Sequence, residues 1–113
     1  MTEDYLHYIW KYKLFSQQDL KTTEGEPLEI INFGFHNHDS GPDFSQGKVK
    51  IGKTLWIGNI EIHKKASDWI RHNHQSDKGY DTVVLHVVYE ADSDIKTTQG
   101  ISIATLELKN RID

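Results

Sequence analysis

The stretch Val49-Lys50-Ile51-Gly52-Lys53-Thr54-Leu55-Trp56-Ile57-Gly58-Asn59-Ile60-Glu61-Ile62-His63 decides the architecture of this chain. Val49 and Ile51 alternate with Lys48 and Lys50, Gly52-Lys53 supplies a tight turn, and Leu55 to His63 returns as a long partner, so the pattern predicts a β-hairpin from about Gly47 to His63. Side chains in a strand alternate between faces. Trp56, Gly58, Ile60 and Ile62 therefore share one face and Ile57, Asn59, Glu61 and His63 the other. The first face calls for a helix to cover it. The second carries an acid and an imidazole between apolar neighbours, which reads as a polar cleft.

Working outward, the loop Gly34 to Ser45 precedes the hairpin and holds Asn37, Asp39, Gly41 and Pro42, a composition typical of turns. Before it, Leu28-Glu29-Ile30-Ile31-Asn32-Phe33 reads as a strand. Near the start, Thr2 can cap a helix over about 3–15, whose apolar stripe is Leu6, Ile9, Trp10 and Leu14. Trp56, Ile60 and Ile62 are expected beneath that helix. Downstream, Ala66, Trp69, Ile70 and Asn73 have helical spacing, which predicts a short helix over about 65–73. Thr82 to Tyr89 is an almost unbroken apolar run, as in a central strand buried on both faces. Ile101 to Leu108 closes the chain as a final strand. Trp10, Trp56 and Trp69 read as sheet-covering contacts. The fold class is α/β (α+β), with a mixed sheet flanked by helices.

Composition narrows the function classes. A chain of 113 residues supports one domain, 1–113, with one modest core. With 36% hydrophobic and 27% charged residues it falls among folded rather than disordered chains. Its 0 Cys exclude disulfides, thiolate metal sites and cysteine nucleophiles, leaving oxygen and imidazole as metal ligands. No run approaches the ~20 apolar residues of a membrane span, and the acidic opening Met1-Thr2-Glu3-Asp4 is unlike a signal peptide, so the expected compartment is the cytoplasm. The net charge of −4 argues against tight coating of nucleic acid. It argues less against an enzyme that meets a phosphodiester locally, because a metal can neutralise phosphate and several lysines lie in the middle third.

The chemistry concentrates at Asp43 and Glu61. Hard cations such as Mg²⁺ and Mn²⁺ take oxygen ligands, and two carboxylates from neighbouring strands are a minimal protein contribution. His63 shares a face with Glu61 as a ligand, a base or a spectator. His86, inside the apolar run, reads as a core histidine with a satisfied hydrogen bond that can orient something nearby. Asp39, Lys64, His72 and His74 are further candidates around the site. His72 and His74, two apart, could clasp zinc together with Glu61 or His63, which makes zinc the alternative cation.

In order and size the predicted elements resemble the core of the PD-(D/E)XK phosphodiesterase superfamily, helix-strand-strand-strand-helix-strand, the restriction-endonuclease-like fold. That family's pattern is Pro-Asp at one strand start and Asp/Glu-x-Lys at the end of the next; here Pro42-Asp43 and Glu61-Ile62-His63 hold the matching places. The resemblance implies metal ligation by Asp43, Glu61 and the Ile62 carbonyl, with catalysis on DNA or RNA. The departure is His63 where the family has lysine, and Lys64 would face the other way. Over nearly its whole length the chain also resembles the opening segment of domain of unknown function family 2851, through Gly41-Pro42-Asp43-Phe44, Gly58-Asn59-Ile60-Glu61-Ile62-His63, Ser67-Asp68-Trp69, His72-Asn73-His74 and Leu85-His86-Val87-Val88-Tyr89. Members of that bacterial family are longer, which implies an N-terminal part whose partner is the remainder of the protein. Two function classes follow: a metal-dependent phosphodiesterase, or a noncatalytic binding or assembly module with a structural metal.

Overall fold

A computed structural model describes residues 1–112. Helix α1 spans Glu3–Lys11; the Thr2 hydroxyl accepts the N–H of Tyr5 at 3.1 Å, and Glu3 and Asp4 complement the positive end of the helix. Its buried stripe is Leu6, Ile9 and Trp10. The helix is shorter than the expected 3–15, because Lys13 takes a left-handed backbone (φ 58°) and turns the chain. Leu14 is consequently 46% exposed, while Phe15 folds back to stack on Trp10 at 5.7 Å.

Five further strands and one short helix follow the first strand, β1 (Leu28–Asn32): β2 (Phe35–His36), β3 (Phe44–Ile51), β4 (Thr54–Lys65), α2 (Asp68–Arg71), β5 (Val83–Glu90) and β6 (Thr105–Glu107). They form one mixed sheet in the order β1-β3-β4-β5-β6, with β2 also paired to β3. The β1/β3 and β3/β4 pairs are antiparallel, and β4/β5 and β5/β6 are parallel. As its composition predicts, β5 is an interior strand, with Val83, Leu85, His86, Val87 and Val88 all buried.

The hairpin register contains the most consequential irregularity of the fold. Near the turn, Ile51 faces Thr54, Val49 faces Trp56 and Gly47 faces Gly58; beyond it, Phe44 faces Ile60. One extra residue is therefore accommodated in β3, and Gln46 absorbs it in a left-handed conformation (φ 58°). Continued by one residue, the shifted register sets Asp43 opposite Glu61. A slip of one residue would turn Asp43 to the other face.

The main core lies between α1 and the sheet, where Leu6, Ile9 and Trp10 meet Phe44, Val49, Ile60, Ile62, Leu85, Val87 and Leu106. The Trp10 indole donates to the Phe33 carbonyl at 3.0 Å, tying the helix to the end of β1. Ile60 and Ile62 are fully buried as expected, but Trp56 is 47% exposed rather than covered by α1. A helix of nine residues is too short to reach the turn end of β4, and Trp56 instead walls an open concavity with Ile57, Thr82 and Ile103. The expected helix over 65–73 is also reduced, to Asp68–Arg71, since Asn73 is left-handed (φ 59°) and the chain continues as the 3₁₀ turns His74–Ser76 and Lys78–Tyr80. The final strand shrinks from 101–108 to Thr105–Glu107, preceded by an isolated bridge between Lys96 and Ser102.

Candidate metal centre

Asp43 and Glu61 interlock across the hairpin. The Glu61 Oε1 accepts the backbone N–H of Asp43 at 3.1 Å, and the Asp43 Oδ2 accepts the backbone N–H of Ile62 at 2.7 Å. Each carboxylate is thereby fixed by the other's strand, an arrangement made possible by the shifted register. Burial, reinforced by the negative charge of Asp43, pushes the Glu61 carboxyl up to about 9. Burial also opposes ionisation of Asp43, but His7 and the Ile62 N–H outweigh it and hold that carboxyl below its ordinary value. The pair therefore divides into an ionised Asp43 and a Glu61 that keeps a proton, the expected outcome when two acids share one buried site.

Helix α1 contributes a second wall. Glu3 and His7, one turn apart on the same helix face, come together with Asp43 so that one ligand atom from each lies within 4.8 Å of the others. The His7 Nε2 is 3.4 Å from Asp43 Oδ2 yet too poorly aligned for a hydrogen bond, leaving it buried without a partner among the described residues. Burial pulls the His7 imidazole down, but Asp43, Glu3 and Asp4 overcome this and raise it. Burial and then Asp43 raise Glu3.

Histidines form the opposite wall. The other carboxylate oxygen of Glu61, Oε2, lies 3.0 Å from His74 Nε2 and 3.3 Å from His63 Nε2. On the far side of its ring, His63 Nδ1 meets His86 Nε2 at 2.7 Å, and both rings are buried. Burial, then the neighbouring His74 and His72, pulls His63 down to about 4; burial likewise lowers His86 well below its ordinary value. His72 is exposed at the end of α2. The left-handed Asn73 reverses the chain so that His72 and His74 both approach His63. The Tyr80 ring stacks on His74 at 3.6 Å, and Trp69 packs edge-on against His74 and His86.

The structure thus brings together Asp43, Glu61, His63, His72 and His74, with His86 behind them. Ile62 takes part through its N–H, while its side chain belongs to the core. Asp39 is exposed in the β2–β3 loop, where its N–H donates to the Asn37 side chain at 3.0 Å. Lys64 is exposed and lies on the face of β4 opposite His63. Glu3, His7 and Tyr80 were not singled out by the sequence reading; the only available signal was the Glu3/His7 spacing on one helix face. The large open concavity of about 1170 Å³ is lined by none of these site residues.

An oxygen-rich side built from Asp43, Glu61 and Glu3 suits hard cations, and an imidazole-rich side suits borderline ones. The unpartnered His7 nitrogen beside Asp43 is further evidence that the donor set fits a cation. The architecture is that of a mixed α+β domain with an acid and histidine cluster on its central hairpin. The chain belongs to the family of proteins of unknown function DUF2851, which matches residues 3–113. No curated protein and no solved structure matches it. No helix among the described residues is long and apolar enough to cross a membrane.

Proposed function

We propose that the protein is a metal-dependent phosphodiesterase acting on nucleic acid, on a restriction-endonuclease-like core with its cation held by Asp43 and Glu61. The observation that carries this reading is the mutual backbone clamping of the two carboxylates at adjacent strand positions. Helix, antiparallel three-stranded meander, crossover and parallel strand also follow in the order of the PD-(D/E)XK core. When bound, Mg²⁺ or Mn²⁺ supplies Lewis-acid polarisation of the phosphate and acidifies a bound water. Asp43 and Glu61 orient that cation, and the clamping hydrogen bonds preorganise them for it. His63 stands where a lysine is expected, but as a buried ring already bonded to His86 it brings no fixed positive charge. Proton handling falls instead to His7, whose Nε2 lies 3.4 Å from Asp43 Oδ2.

Incubation with single- and double-stranded DNA and RNA in Mn²⁺ tests this. Cleavage is expected, and Asp43→Asn and Glu61→Gln should abolish it; His7→Gln should depress kcat more than KM. The replacement of lysine by His63 favours one second reading, a noncatalytic binding module with a structural metal. Cation binding without cleavage of any of the four substrates would decide for that module.

A further inference from the structure

Glu61 presents two different faces. Its Oε1 points to the Asp43 side, whereas its Oε2 is met by two imidazole nitrogens, those of His63 and His74, with a third ring, His72, at the rim. A tetrahedral cation with ligands at 2.0–2.1 Å keeps neighbouring ligand atoms about 3.3 Å apart. The observed separations of 3.3 Å and 3.0 Å from Oε2 to His63 Nε2 and His74 Nε2 match that edge. Ligand atoms of the three histidines already lie within 4.8 Å of one another. The His72 ring, exposed at the end of α2, lies with its centroid 5.1 Å from that of His63 and 5.6 Å from that of His74.

We infer that His63, His72, His74 and Glu61 Oε2 form a second cation site, four-coordinate and selective for a borderline transition metal of the Zn²⁺ type. Simple hydrogen bonding to Glu61 accounts for His63 and His74 but gives His72 no role. The surroundings are also those of a ligand set. The bond between His63 Nδ1 and His86 Nε2 lets His63 carry its proton on Nδ1, freeing Nε2 as the ligand atom. His74 is held by the Tyr80 ring stacked on its face and by an edge-on contact with Trp69. Four protein ligands leave no open position, so this cation serves as a clasp. It pins the turn after α2 onto β4 and fixes Glu61, which then bridges the two halves of the cluster. The site does not depend on the phosphodiesterase reading and stands if no substrate is cleaved.

Co²⁺ titrated into chelator-stripped protein reports the coordination number directly through its visible absorption. We expect one equivalent to bind with the intense bands of four-coordinate cobalt and to be displaced by Zn²⁺. His72→Ala, at an exposed position where folding is not at risk, should weaken Co²⁺ binding at least about tenfold, since losing even an outer-shell partner costs about that much. His74→Gln should remove the bands, and Asp43→Asn should leave them in place. Only weak, six-coordinate absorption would overturn the inference. So would bands lost in Asp43→Asn but unaffected by His72→Ala, which would put the cation on the carboxylates alone.

Discussion

His63 Nδ1 lies 2.7 Å from His86 Nε2, a hydrogen bond between two buried rings on the adjacent parallel strands β4 and β5. Only one of the two nitrogens can carry the proton, so each ring fixes the tautomer of the other. Among the described residues His86 has no partner at its second nitrogen, which leaves His63 as the one hydrogen-bond partner of its ring. Replacing His86 with leucine should therefore strand the buried His63 nitrogen and destabilise the fold by about 1–3 kcal/mol. Urea unfolding measures this. The double variant His63→Leu/His86→Leu should be less destabilised than the sum of the two single changes, because an unmade pair costs less than a half-made one. Strict additivity would mean the bond contributes nothing.

The bulge at Gln46 absorbs the extra residue of β3, and it can be tested by its backbone demand. Gln46 has φ 58°, a conformation that glycine adopts freely and a β-branched residue resists. Gln46→Gly should leave the melting temperature nearly unchanged, while Gln46→Val should cost about 1–2 kcal/mol. Deleting Gln46 would remove the extra residue and leave Asp43 opposite Glu61 in an unbroken register, so the pair should survive the deletion. In that variant the Mn²⁺-induced rise in melting temperature expected of the wild type should be retained.

How legible these features were follows from which forces set them. The hairpin, the interior strand β5 and the stripe of α1 were readable because burial imposes its period directly on the sequence. Alternation along β4 also put Glu61 and His63 on one face. Their convergence with Asp43 depended on absorbing an extra residue at Gln46, which is neither glycine nor asparagine and gives no turn signal. The pairing of His72 with His74 was readable from their spacing, but the left-handed turn at Asn73 that carries it was hidden by a helical pattern running through residue 73. Glu3 and His7 share a helix face by their spacing, but they reach the site only because α1 crosses this end of the sheet, a tertiary fact that the spacing does not reveal. The same placement explains why Trp56, on the covered face by alternation, lies open at the other end.

Packing under α1 is tight where the helix does reach. A Cβ placed on Gly47 would come within 2.5 Å of the Ile60 side chain, so Ile60 fills the space that a larger residue at 47 would need. Ile60→Ala should cost about 2–5 kcal/mol, measured by chemical denaturation, since a fully buried branched side chain leaves a cavity that its neighbours fill only partly. A loss below about 1 kcal/mol would show that the core collapses around the site.

Glu61 gives the metal-free protein an alkaline weakness. Its folded value of about 9 stands above the unfolded 4.5, raised by burial and by Asp43. A group shifted in that direction contributes stability that is complete below 4.5 and is lost as pH rises toward 9, because the unfolded chain gives up its proton first. His63 acts only on the acid side: its folded value of about 4 lies below the ordinary 6.5, so it lowers stability only as pH falls through 6.5. His7 is raised and adds to the alkaline loss just above 6.5. In the presence of a chelator, urea midpoints should thus fall steadily between pH 6.5 and about 9, at no more than about 1.4 kcal/mol per pH unit for each proton. Glu61→Gln, which keeps the shape and removes the titration, should flatten most of that slope, and Asp43→Asn should reduce it by removing the charge that raises Glu61. An unchanged slope in Glu61→Gln would show that Glu61 is ionised in the fold, and the division of the pair into one charged and one protonated acid would be wrong.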